Sequence, residues 1–226
     1  MEGIIRPKPR FSCPPRVLVC ATEVDLRAFS RGLGFPSRGP TLFLSRVFQH
    51  QGAALAGPVL GGPQMALLLE NLIAAGAREI IFWGWAGALR EDVPLGALLL
   101  PEEALSAEGT STHYGSFCSP HQGFLAQVAR LLVQEGLNFR SGKVVSTDAP
   151  YRESVEFCAR YAPQALAVEM ECAAAFSVAR YRKARLAALL FISDRVYPFP
   201  ETTPKRDLQR LRAKLLPFFR RWLWKD

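Results

Sequence analysis

Short apolar runs alternate with segments of helical period along most of the chain, and each carries its own boundary signals. The first run, 16–21 (RVLVCA), has the length and β-branched content of a buried strand. Thr22 follows it in a T-x-x-D pattern with Asp25 and predicts a helix starting near Glu23. The Gly- and Pro-rich stretch 32–40 predicts a loop, and 41–47 and 53–60 predict two more strands. Gly61-Gly62-Pro63 opens a helix over 63–75 that Gly76 stops. A buried strand over 79–83 then runs into a glycine-rich turn, 84–88.

The second half continues the alternation. A short strand at 97–100 is followed by a polar loop at 108–114, a helix at 121–134 ended by Gly136, and a strand at 143–145. Ser146-Thr147-Asp148 leads to a helix entered near Pro150. The run 165–168 predicts a strand that delivers Glu169 and Glu171 on either side of Met170. A small-residue helix, 172–182, comes next, and a last apolar run, 186–192, ends in Ser193-Asp194. Strands alternating with helices over the whole length predict an α/β domain, and no internal repeat interrupts it. Carboxylates just past the ends of buried strands are where open α/β sheets build ligand sites. For Glu171 alone, capping of the following helix is the competing reading, because the helix dipole favours an acid in a first turn.

Composition narrows the function. The 226 residues are enough for one domain with a sizeable core, and no apolar run reaches the length of a membrane span. Residues 1–15 lack an apolar signal core and are expected to form a flexible leader, with the folded domain covering 16–226. Five cysteines, without a CxxC pair, suit a reduced, cytoplasmic chain without structural zinc. The net charge of +8 sits at the ends: residues 1–16 carry +3 and residues 205–226 carry +6, which leaves about −1 between them. Nucleic-acid binding is therefore not expected. Over 204–226, Leu208, Leu211, Leu215, Phe218, Phe219 and Trp222 mark the apolar side of a terminal helix that packs across the domain with a basic outer face. Pro217 is expected to kink or end it; adsorption to a membrane surface is the alternative role for this segment.

The segments GGPQMALLLENLIAAGAREIIFWGWAGAL, EGTSTHY, VVSTDAPYRE, AVEMECAAAFSVA and LLFISD together resemble the nucleoside phosphorylase family, which includes purine nucleoside phosphorylase, uridine phosphorylase and the related nucleosidases. The resemblance implies a single α/β domain with a central mixed, mostly parallel sheet flanked by helices. It also implies a homo-oligomer acting on nucleosides with no cofactor and no metal, with phosphate as a possible co-substrate. By the same likeness Glu171 holds the ribose 2′- and 3′-hydroxyls, with Glu169 nearby and Met170 packed on the sugar. Asp194, beside Ser193, protonates or hydrogen-bonds the departing base, and Arg206 assists it. Gly87 and Tyr151 lie against the base. A carboxylate accepting from two adjacent hydroxyls suits this chemistry, as does negative charge beside an oxocarbenium-like transition state.

One part of the pattern is broken. Where the family carries an arginine and a serine or threonine for phosphate, this chain has Phe82 and Trp85. Losing one charge-assisted phosphate contact costs roughly 1.5–3 kcal/mol. Arg27 can be aligned with another phosphate arginine. Alternatively, CATEVDL resembles the acidic loop of the nucleosidases, which makes Glu23 or Asp25 the base that activates water. Arg27 paired with Glu23 on one helix face, and Trp85 as plain core, are the structural alternatives. The sequence thus points to cleavage of a nucleoside N-glycosidic bond, with hydrolysis favoured over phosphorolysis. A degenerate chain that only binds nucleoside, or acts as a scaffold, is the third possibility.

Overall fold

The computed structural model describes residues 3–224, so the outermost two residues of both the leader and the tail lie outside the described residues. Strand β1 (Arg16–Cys20) is paired in parallel with β4 (Ala53–Gly57) on one side and β5 (Glu79–Ala88) on the other. Four of its five residues are buried, which is why its sequence is a nearly unbroken apolar run. Beyond β4 lie β3 (Ser45–His50) and the two-residue β2 (Thr41–Leu42), both antiparallel. On the other side β5 pairs in parallel with β9 (Arg185–Arg195), and its last two residues pair antiparallel with β8 (Ala167–Glu169). Strands β6 (Leu98–Ala107) and β7 (Arg140–Thr147) complete the sheet between β9 and β8, and β10 (Glu201–Thr202) edges β9. Among the described residues the sheet is mixed, and its long ladders, β5–β9, β6–β7 and β1–β5, are parallel, whereas most antiparallel pairings are two residues long.

The alternation of side chains along β5 sets the two layers. Ile80 and Phe82 face a core made with α2 (Gly61–Ala75) and α5 (Cys172–Tyr181). Ile81 and Trp83 face the opposite core, covered by α1 (Glu23–Leu33), α3 (Gln122–Gln134) and α6 (Lys205–Leu223). A smaller cluster around Leu89, Val145, Cys158 and Val168 lies under α4 (Val155–Tyr161). The chain is thus a single α/β domain with a central mixed sheet flanked by helices. No helix among the described residues is long and apolar enough to cross a membrane.

Several local expectations are corrected. The strand predicted over 41–47 is a hairpin instead: Leu42 pairs with Ser45, and Phe43 takes a positive φ of 54° in the two-residue turn. The glycine-rich turn predicted at 84–88 is continuous strand. Its glycines answer to crowding rather than to turning: a Cβ on Gly84 would meet the Phe82 ring at 2.7 Å, and one on Gly87 would meet Val196 Cγ2 at 2.3 Å. Ser193 and Asp194 lie inside β9 rather than past its end, because Thr202 of β10 pairs with Asp194. Helix α6 runs through Pro217, since its apolar side, Leu215, Phe218, Phe219 and Trp222, is buried on both sides of the proline. Part of the segment read as a leader is tied down: Cys13 is buried and donates its amide to Ala75 O at 2.8 Å, and Arg78 N donates to Pro15 O at the same distance.

Phe219 joins α6 to the first half of the chain, with its ring 5.0 Å from Phe29 of α1 and 6.5 Å from Trp83 of β5, centroid to centroid. Phe219→Ala should destabilise the protein by about 3–5 kcal/mol, measured by denaturant or thermal unfolding. A loss below about 1 kcal/mol would mean that α6 is not part of the cooperative core.

Candidate functional site

Strand β8 is short because it ends in acids that serve the start of α5. The Glu169 carboxylate accepts from the backbone amides of Glu171 at 2.7 Å and Cys172 at 2.8 Å, and from the Ser146 hydroxyl. Ser146 Oγ in turn accepts from Ala173 N at 2.9 Å. These partners satisfy orphan amides of the helix N-terminus, so capping falls to Glu169 rather than to Glu171. Burial pushes the Glu169 carboxyl up, and its hydrogen bonds pull the other way.

Glu171 is left for something else. It is 95% buried, and its Oε1 accepts from Gly61 N at 2.6 Å, across the junction between β4 and α2. Burial first, and then the Glu169 charge, push its carboxyl up to about 8. Gly61 has a φ of +75°, a left-handed position that favours glycine, and a Cβ there would sit 3.8 Å from Met170 Cε. The neighbouring Gly62 has no room for a side chain, because a Cβ would lie 2.8 Å from Glu108 Oε2 and 2.9 Å from Thr110 Oγ1. The EGTSTHY loop is thereby pressed against the start of α2. Glu108 organises that loop by accepting from Thr110 N at 2.6 Å and from Ser106 Oγ at 2.9 Å.

Asp194 reaches the same edge of the sheet by another route. Gly87 of β5 is paired with Asp194 on one side and with Val168 on the other. Two strand spacings therefore separate Asp194 from Val168, about 10 Å. A Cβ on Gly87 would stand 2.3 Å from Val196 Cγ2 and 3.2 Å from Asp194 Oδ2, so the missing side chain leaves room first for Val196 and then for the carboxylate. Ser193 Oγ donates to Asp194 Oδ1 at 2.5 Å. The structure adds Glu153, which the sequence reading passed over at the end of VVSTDAPYRE. Burial, followed by the charge of Asp194, pushes its carboxyl up to about 7. Gly87 is thus flanked by β9, which carries Ser193 and Asp194, and by β8, which leads into Glu169, Met170 and Glu171.

Two predicted residues are not gathered there. Tyr151 is fully exposed and shelters nothing, because the short 3₁₀ turn Pro150–Arg152 points it outward. Arg206, in the first turn of α6, is exposed and lies 3.9 Å from Asp207 rather than on Asp194. The acidic loop is also fully engaged. Glu23 accepts from Arg27 at 2.5 Å and from Arg46, which holds its carboxyl below the usual carboxylate range, with the Arg46 hydrogen bond as the largest cause. Asp25 has no solvent exposure: Oδ1 accepts from Arg212 Nε at 2.5 Å, and Oδ2 from Trp85 Nε1 at 2.7 Å and Thr22 Oγ1 at 2.6 Å. Phe82 is wholly buried on the α2–α5 side of the sheet, so neither substituted position offers a free donor.

An open hollow of about 630 Å³ lies beside α2 and the EGTSTHY loop, with Thr110, His113 and Asp148 on its wall. A second, of about 360 Å³, sits at the far end of β9 around Ser119, Arg180 and Lys183, and none of the predicted site residues lines either hollow. Among the described residues no group of three or more His, Cys, Asp or Glu side chains is placed to hold a metal ion.

Known proteins share this fold and parts of this sequence. The AMP nucleosidase of Bacteroides thetaiotaomicron superposes with a TM-score of 0.74 at 26% identity over 94% of both chains. The purine nucleoside phosphorylase of Toxoplasma gondii, solved with immucillin-H, shares the fold with a TM-score of 0.81 at 15% identity, over 97% of this chain and 95% of that one. In sequence, a guanosine phosphorylase of Halorubrum lacusprofundi is 31% identical over 134 residues, 58% of this chain, and the match spans 56% of that relative's length. A DeoD-type purine nucleoside phosphorylase of Bacillus cereus is 26% identical over 162 residues, 69% of each chain. The phosphorylase superfamily profile matches residues 15–215. This chain belongs to the phosphorylase superfamily, the group of nucleoside phosphorylases and nucleosidases.

Proposed function

We propose that the protein hydrolyses the N-glycosidic bond of a nucleoside and releases the free base. The observation that carries this reading is the closed state of the Asp25–Trp85–Arg212 group. The side chains at the two substituted phosphate positions are turned to internal partners, and Arg27 and Arg46 both pair with Glu23. Family relatives named for purines favour a purine nucleoside as substrate. The reaction drawn here needs no metal or cofactor, and the protein acts in the cytoplasm as a homo-oligomer.

In this mechanism the Glu171 carboxylate accepts from the ribose 2′- and 3′-hydroxyls, and Met170 covers the sugar. Two hydroxyl donors favour the ionised form, so sugar binding lowers the raised pKa and places negative charge under the developing oxocarbenium ion. Asp194, with Glu153 beside it, passes a proton to the leaving base while water attacks the sugar carbon and releases a proton to solvent, from which Asp194 is reprotonated. Phosphorolysis remains the second reading, because both sequence relatives named above are phosphorylases.

Three measurements test this. A panel of adenosine, inosine, guanosine and uridine, incubated with and without phosphate, should release free base at equal rates in both. Release only with phosphate would make the protein a phosphorylase, and no release from any nucleoside would favour a binder. Asp194→Asn should lower kcat by roughly 10²–10⁴-fold with little change in KM; wild-type turnover would remove Asp194 from the chemistry. The third concerns Glu171, whose ordinary value is 4.5 and whose folded value is about 8. Between these limits the folded chain holds a proton that the unfolded chain has released, so stability falls as pH rises, by about 1.4 kcal/mol per pH unit. Glu171→Gln keeps an oxygen for the Gly61 amide and carries no proton to lose. Its Tm should exceed that of the wild type at pH 8, and the two should converge near pH 4.5. Parallel Tm curves across that range would show that Glu171 is not held neutral.

A further inference from the structure

Asp25 is the least exposed acid among the described residues, and its partners come from three separate parts of the fold. An acid in the first turn of a helix ordinarily turns to the helix amides. Here Thr22 Oγ1 takes that duty by accepting from Asp25 N at 3.2 Å, and the Asp25 carboxylate faces away from the helix. Arg212 reaches it from α6, the Trp85 indole from β5, and the Thr22 hydroxyl from the loop between β1 and α1. A guanidinium that grips a carboxylate as a fork uses two nitrogens on two oxygens. Arg212 uses Nε only, since Oδ2 is already occupied by Trp85 and Thr22. Its Nη2 is buried and has no hydrogen-bond partner among the described residues. The donors around this point therefore exceed what the aspartate accepts, as in a site shaped for a small oxyanion.

The position of this group matters as much as its chemistry. Ala21 donates its amide to Trp83 O at 2.8 Å and accepts from Val59 N at 3.0 Å, so the loop carrying Thr22 and Asp25 borders the turn that leads to Gly61. Gly61 is the residue whose amide holds Glu171. We propose that the Asp25 side chain is the resident anion of a site built by Arg212, Trp85 and Thr22, and that this resident, secured by the C-terminal helix, keeps inorganic phosphate from lodging beside the sugar-binding acid. The second half of the proposal rests on the hydrolytic reading given above; the first half stands without it.

The test is anion rescue. Asp25→Ala removes the carboxylate and leaves a space that formate matches in charge and shape. Thermal unfolding is followed in sodium formate against sodium chloride at equal ionic strength. Formate should raise the Tm of Asp25→Ala by several degrees, leave the wild type unchanged, and fail on Asp25→Ala combined with Arg212→Met. An equal response of the wild type and Asp25→Ala, or rescue that survives the loss of Arg212, would overturn the site. If Asp25→Ala does not accumulate folded protein, it is refolded from denaturant with and without formate. Native tryptophan fluorescence recovered only with formate supports the proposal, and no recovery with formate overturns it. Calorimetric titration of the wild type with inorganic phosphate should show no saturable binding; saturable binding would overturn the exclusion of phosphate. Base release that requires phosphate would instead sink the hydrolytic reading and leave the formate result standing, so the two failures are distinguishable.

Discussion

The Glu169 carboxylate is the constraint on which the rest of the edge depends. It accepts two backbone amides from the start of α5 and the hydroxyl of Ser146 from β7, so it joins a strand, its neighbour and a helix at one point. An acid buried this deeply is unfavourable unless it is hydrogen-bonded, and here three donors converge on it. With capping assigned to Glu169, the next acid in the chain is freed. Glu171 accepts from the amide of Gly61, and its burial raises its proton affinity into the range of neutral pH. The acid proposed to hold the sugar is thus supported by a structural one two residues away.

The far side of the site obeys a steric rule. Asp194, Val168 and Val196 all close on Gly87, and a side chain there would displace Val196 and crowd the carboxylate. The bulge between Ala86 and Gly87 shifts the register so that Gly87 meets Asp194. A glycine in mid-strand therefore does the work that a turn was expected to do. The backbone itself stays extended, and the acid approaches it.

The legible parts of the sequence were those governed by local rules. The apolar runs at β1, β8 and β9, the Thr22 cap and the Gly76 stop follow from period and capping, and the structure has them close to where the pattern puts them. The resemblance in V-E-M-E and S-D points to two segments that the fold brings to either side of Gly87. What escaped depended on contacts between distant segments. Glu153 gains its interest only from the approach of Asp194, and Tyr151 loses its role because a 3₁₀ turn points it into solvent. Gly84 and Gly87 were read as a turn because spacing cannot distinguish a glycine that bends from one that makes room. Asp25 was open to two readings, and neither included a partner in the last helix.

That last contact has a consequence for how the molecule comes into being. Arg212 and Asp25 are separated by 187 positions, and Phe219 meets Phe29 across a similar span. A ribosome delivers the β1–α1 corner nearly 190 residues before the helix that seals it. For most of synthesis the aspartate waits without its guanidinium, and the face of α1 that carries Phe29 lacks its cover. The corner closes only once α6 has been made, a topology that favours slow, all-at-once assembly over stepwise folding.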